Sequence, residues 1–117
     1  FYGCSYAPTA DYRMLSKAHR LAQEKQVNVF VGNIYNSDEF YRETMDRLHK
    51  FMEFGVLAVE MESAALYTLA AKYGVRALSI LTVGSHLLTN ERSSHQDSEK
   101  SFHDMVEVAL HTILADE

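Results

Sequence analysis

The chain has 117 residues, 47% of them apolar and 23% charged, with five Gly and one Pro. That is the make-up of a single soluble globular domain over residues 1–117, not of a disordered, collagenous or repeat chain. Eleven Lys and Arg against sixteen Asp and Glu give a net charge of -5 with His neutral, which argues against a nucleic-acid or anionic-membrane binder. The single Cys4 excludes an internal disulfide and a Cys-rich zinc centre, and fits a reducing, cytoplasmic setting. No apolar run reaches the roughly 18 residues of a membrane-spanning helix. The opening Phe1-Tyr2-Gly3-Cys4 has no Met, basic n-region or apolar h-region, so it is no signal peptide and reads as a chain beginning in mid-sequence.

Thr9 is placed to cap a helix from Ala10 to about Gln26, with Met14, Leu15, Ala18, Leu21 and Ala22 on one face. Val27 to Val31 is a short β-branched run ended by Gly32-Asn33, and predicts a strand. Ser37 or Asp38 opens a second helix whose inner face is Tyr41, Met45, Leu48 and Met52, with Gly55 at its C′ position. Val56 to Val59 predicts a strand, Met61 to Tyr73 a helix closed by Gly74, and Val75 to Val83 a further apolar strand. Strand, helix, strand with short turns is a βαβ unit, so these two strands are expected to be parallel neighbours in a sheet covered on both faces. Residues 84–97 are polar and predict a long loop. A last helix is expected from about Ser98 to Ala115, with Phe102, Met105, Val106, Ala109, Leu110 and Ile113 inward. The expected class is α/β, a mixed or parallel central sheet flanked by helices.

Ligands of parallel sheets bind outside the carboxyl ends of the strands. Two such ends are Val59-Glu60-Met61-Glu62 and Val83-Gly84-Ser85-His86. If their strands are neighbours, Glu62 and Ser85 share a rim. An ionised Glu accepts two hydrogen bonds from a vicinal diol, and a helix N-terminus favours its charge. The competing reading is a solvated first-turn carboxylate. Phe40 and Tyr41 suit either stacking on a flat ligand or core packing. Ser85 has no His–Asp relay, the six histidines form no metal pattern, and no GxGxxG or Walker loop occurs.

Val59-Glu60-Met61-Glu62-Ser63-Ala64-Ala65 resembles the V-E-M-E-x-A-A segment of nucleoside phosphorylases. Essentially the whole chain is similar to the C-terminal half of the hexameric, bacterial-type purine nucleoside phosphorylases. Val31 to Tyr35, Phe40-Tyr41, Gly55 to Leu57, Leu78 to Val83 and Phe102 to Met105 keep register without a gap. The resemblance implies phosphorolysis of purine nucleosides to free base and ribose 1-phosphate. It implies no metal or organic cofactor, inorganic phosphate as co-substrate, and a homo-hexamer. It implies that Phe40 borders the base with Tyr41 beside it, Val59 lines the base pocket and Met61 packs on the ribose. Glu62 would accept the 2′- and 3′-hydroxyls, with Glu60 in the same segment.

Two positions depart from that pattern. The family carries Ser-Asp where this chain has Gly84-Ser85, and that Asp protonates N7 of the leaving purine. The Arg that assists it falls on Ser98, with Arg92 six residues early; His86 matches the family's His. The family's phosphate-binding Gly and Arg residues belong to its N-terminal half, outside these 117 residues. The alternatives are a catalytically impaired nucleoside-binding remnant and a related nucleosidase.

Overall fold

The computed structural model describes residues 1–39, 45–89 and 91–114. Its elements in chain order are α1 (Tyr12–Glu24), β1 (Ile34–Asn36), α2 (Met45–Glu53), β2 (Ala58–Glu60), α3 (Ser63–Tyr73) and α4 (His95–Leu114). The expected α/β class holds. Strand positions and pairing differ from the expectation.

α1 is capped by Asp11, not Thr9: its Oδ1 accepts from the Met14 N–H at 2.8 Å. The Asp11 N–H in turn donates to Ala77 O at 2.9 Å, so the cap residue is also pinned to a distant segment. The predicted face is right. Ala18 and Ala22 are buried, and Met14, Leu15 and Leu21 are half-buried. Two alanines one turn apart let α4 approach closely, where Val108 completes a small core packed on by Val27, Val29, Leu78 and Ile80.

The expected strand over Val27–Val31 is not a strand. Val27 N–H is spent on Ala22 O at the end of α1, and Phe30 is 73% exposed. Pairing begins after Gly32-Asn33, which the sequence reading took as the terminator. β1 runs parallel to β2, with Ile34 opposite Ala58, Tyr35 opposite Val59 and Asn36 opposite Glu60. The parallel pair is therefore β1–β2, with α2 in its connection, and not 56–59 with 75–83. The 75–83 run forms no ladder among the described residues. Its polar backbone goes elsewhere: Ala77 O accepts from Asp11, and Ser79 N–H donates to the Tyr67 hydroxyl at 2.8 Å. Gly32 has a packing reason to be Gly. A Cβ there would lie 2.7 Å from Leu57 Cδ1.

Of the predicted second helix, Met45–Glu53 is described. Leu48 is buried, whereas Met45 and Met52 are exposed, so among the described residues the expected inner stripe narrows to Leu48. Tyr35 and Phe51 stack with centroids 4.1 Å apart, tying α2 to β1. Phe40 and Tyr41 lie outside the described residues. Gly55 takes φ +75 and Gly74 φ +66, the left-handed geometry that their helix-ending positions require. α4 starts at His95, a turn earlier than expected, because Ser94 Oγ accepts from the Asp97 N–H at 3.0 Å. Its buried residues are Val108 and Thr112. Of the predicted inner face, Met105, Val106 and Ala109 are half-buried, and Phe102, Leu110 and Ile113 are exposed. Apart from Phe102, that face lines an open groove of about 300 Å³ with Met14, Leu78 and Ile80. No helix among the described residues is long and apolar enough to cross a membrane.

Candidate active site

β2 ends at Glu60, and α3 begins after two intervening residues. A helix start leaves its first backbone N–H groups without intrahelical partners. Here the two paired strand ends supply the acceptors. Glu60 Oε2 accepts from the N–H of Glu62 at 2.7 Å and of Ser63 at 2.8 Å. Asn36, directly opposite Glu60 in the ladder, accepts from the Ala64 N–H through Oδ1 at 2.8 Å. Three successive N–H groups are thus satisfied from within. This helix end has been closed by its own sheet, and its free donors are not left to cradle a phosphate.

The closure leaves Glu62 in a particular state. Its backbone caps α3, but its side chain makes no cap hydrogen bond, and the residue is exposed. Glu60 is folded inward, with Oε1 buried and, among the described residues, without a hydrogen-bond partner. The two carboxylates around Met61 therefore do different jobs: Glu60 holds the turn and Glu62 faces outward with its oxygens available. Met61 is 38% exposed and lies between them. Val59, opposite Tyr35, is half-buried in β2.

The second rim is built by a tight reversal. Ser85 bridges antiparallel to Arg92. His86 N–H donates to Glu91 O at 2.8 Å, and Ser93 N–H donates to Gly84 O at 3.1 Å. The expected long loop is thus a clasped turn running into α4. Ser85, Gly84 and His86 are exposed. His86 Nδ1 accepts from the Thr89 N–H at 3.4 Å, which engages that ring nitrogen locally. Ser98 sits half-buried in the first turn of α4, its N–H donating to Ser94 O at 2.9 Å.

A hydroxyl bridge that sequence reasoning missed ties the start of α3 to the 75–83 segment. Ser63 Oγ, on the first turn of α3, donates to Ser79 Oγ at 2.7 Å. Ser79 lies on the segment that leads to Gly84-Ser85. Asn36 was missed as well. Its residue type, a short polar side chain that bonds backbone groups readily, was legible, but its place at a strand end was not.

Comparison with known proteins places this geometry. A model of the phosphorylase superfamily matches residues 1–116. The chain is 51% identical over 110 residues to the DeoD-type purine nucleoside phosphorylase of Bacillus cereus (strain B4264), covering 94% of this chain and 47% of that one. It is 49% identical over 113 residues to the same kind of enzyme from Bacillus velezensis, covering 97% and 48%. A solved structure, the P. knowlesi homolog of P. falciparum PNP, superposes with a TM-score of 0.76 at 25% identity, over 92% of this chain and 43% of that one. The chain spans about half the length of the curated relatives it matches. With a parallel strand pair feeding the V-E-M-E turn, and a family match along nearly every residue, the chain belongs to the phosphorylase superfamily.

Proposed function

We propose that this chain carries the nucleoside-binding half of a purine nucleoside phosphorylase. The reaction is nucleoside plus phosphate giving free purine base and (deoxy)ribose 1-phosphate. The observation that carries this reading is the outward Glu62 carboxylate, held on a turn closed by Glu60 and Asn36, in a chain half identical to enzymes of that name. Two carboxylate oxygens match the spacing of a vicinal diol, so Glu62 takes the ribose hydroxyls. Met61 and Val59 supply apolar surface to sugar and base, with Phe40 and Tyr41 on the base side and Gly84 at the rim.

The glycosidic C1′–N9 bond breaks while a phosphate oxygen forms the new bond to C1′. The electron pair leaves with the base, and a proton added to the base offsets its charge. Positive charge gathers on the sugar in between, and a nearby carboxylate stabilises it. No metal or organic cofactor is needed for this displacement. The proton donor is the position in question. Ser85 stands there; a serine hydroxyl hydrogen-bonds a ring nitrogen but does not release a proton near neutral pH. Ser98 brings no charge to assist it. Removing a general acid typically costs about 10²–10⁴-fold in rate. This favours a second reading, in which the chain binds nucleoside with turnover slowed by that factor. A nucleosidase differs by using water in place of phosphate. The assembly is a homo-hexamer and the setting cytoplasmic on this proposal.

The test is hypoxanthine release from inosine, with and without phosphate, by the native chain and by Ser85→Asp. Phosphate-dependent release that rises about 10²-fold or more in Ser85→Asp supports the assignment of the acid position. Release independent of phosphate would sink the phosphorylase reading. Release unchanged by the substitution would sink the role given to Ser85.

A further inference from the structure

We propose that Asn36 is the positioning residue for Glu62, a role that rests on the nucleoside reading above. Asn36 clamps the backbone on both sides of that carboxylate. Its Oδ1 accepts from the Ala64 N–H at 2.8 Å, two residues after Glu62. Its Nδ2 donates to Met61 O at 3.4 Å, one residue before it. Only one orientation of the carboxamide satisfies both partners, because the first offers a donor and the second an acceptor. Asn36 is half-buried and reaches the turn from the paired strand, 28 residues earlier in the chain.

The turn needs such a clamp. Glu62 has φ -123 and ψ -25, outside the regular helix that follows. Its own side chain makes no cap bond to hold that geometry. Glu60 fixes the N–H of Glu62 and Ser63, but both of those bonds come from one oxygen of the same strand. Asn36 adds an anchor from β1, so the direction of the Glu62 Cα–Cβ bond is set against the sheet and not only against its own segment. A diol is bound well only if both carboxylate oxygens are presented together, and loosening the turn spends binding free energy on re-ordering it.

The experiment compares inosine with 2′,3′-dideoxyinosine, which lacks both hydroxyls, by titration calorimetry on the full chain. The native chain is expected to prefer inosine. In Asn36→Ala the Kd for inosine is expected to rise about tenfold, the equivalent of one lost hydrogen bond, while that for the dideoxy compound stays unchanged. Asn36→Asp keeps the acceptor for Ala64 but gives up the donor to Met61 O, so a preference between those of the native chain and Asn36→Ala is expected. Hydrogen exchange at the Ala64 amide is expected to quicken in Asn36→Ala and not in Asn36→Asp. A folded Asn36→Ala that keeps the full preference overturns the positioning role and leaves the nucleoside reading standing. If Asn36→Ala does not fold, Asn36→Asp decides: a preference equal to the native one, with the donor to Met61 O gone, overturns the two-sided clamp. A native chain that binds both compounds equally removes the diol role of Glu62, and this proposal with it.

Discussion

Glu60→Ala removes the carboxylate that closes α3. Two backbone N–H groups lose their acceptor, at 2.7 and 2.8 Å. Capping losses of this kind cost about 0.5–2 kcal/mol. The Glu62 amide sits on an exposed residue and rehydrates, so its share is small. Ser63 is buried, and an N–H that stays dry without a partner costs about 1–3 kcal/mol. Against that, the substitution also removes the buried Oε1, which has no partner among the described residues. The expected net loss is about 1.5–2 kcal/mol, near the top of the capping range. Urea unfolding followed by circular dichroism reads it as a midpoint lower by about 1 M at an unchanged m-value. Glu60→Gln keeps one oxygen to accept from both N–H groups and is expected to recover much of the loss. A midpoint within about 0.3 M of the native value in Glu60→Ala would refute the capping role.

Two further predictions concern packing and charge. Gly32→Ala would set a Cβ 2.7 Å from Leu57 Cδ1 and 3.0 Å from Cγ; Leu57 is about half exposed and swings aside, so the expected loss is about 1 kcal/mol, and adding Leu57→Ala should abolish it. Purely additive losses in that double-mutant cycle would show that the contact is not the cause. Lys25 is hydrogen-bonded to Glu107 and 3.9 Å from Asp104. The hydrogen bond to Lys25 and its charge hold the Glu107 carboxyl below its usual value, and the same bond raises Lys25. The contribution of Glu107 is therefore complete above its usual 4.5 and is lost as pH falls through its lowered value. That of Lys25 is complete below its usual 10.5 and is lost as pH rises through its raised value. Glu107→Gln should flatten both limbs of a stability-against-pH curve, and curves of identical shape would count against the pair.

Local structure was largely legible in the sequence. The 3–4 spacing of Ala18 and Ala22 and the closing Gly74 depend only on neighbours in the chain, and both are found as expected. Pairing was not legible, because it depends on partners far away. Val75 to Val83 has every mark of a strand, yet its groups are taken by Asp11 and by the Tyr67 hydroxyl. The parallel partner of β2 came instead from three residues beyond a Gly-Asn signal. The same limit applies to the site. Glu62 as an exposed carboxylate at a strand end followed from the V-E-M-E run. The division of labour between Glu60 and Glu62 did not, since it turns on which carboxylate folds back over the helix. Asn36 could be found only after β1 had been placed beside β2.

The long reach of these bonds has a kinetic consequence. Asn36 and Ala64 are separated by 28 residues, and Ser63 and Ser79 by 16. An isolated eleven-residue helix such as α3 is marginal in water, so its first turn has no stable form until β1 and β2 have met. Closing that distance has an entropic cost before any bond rewards it. The Glu62 turn and the parallel ladder therefore form in the same folding step. A fluorescent nucleoside that lights up on binding would follow refolding with the rate of sheet closure, and no faster phase would precede it.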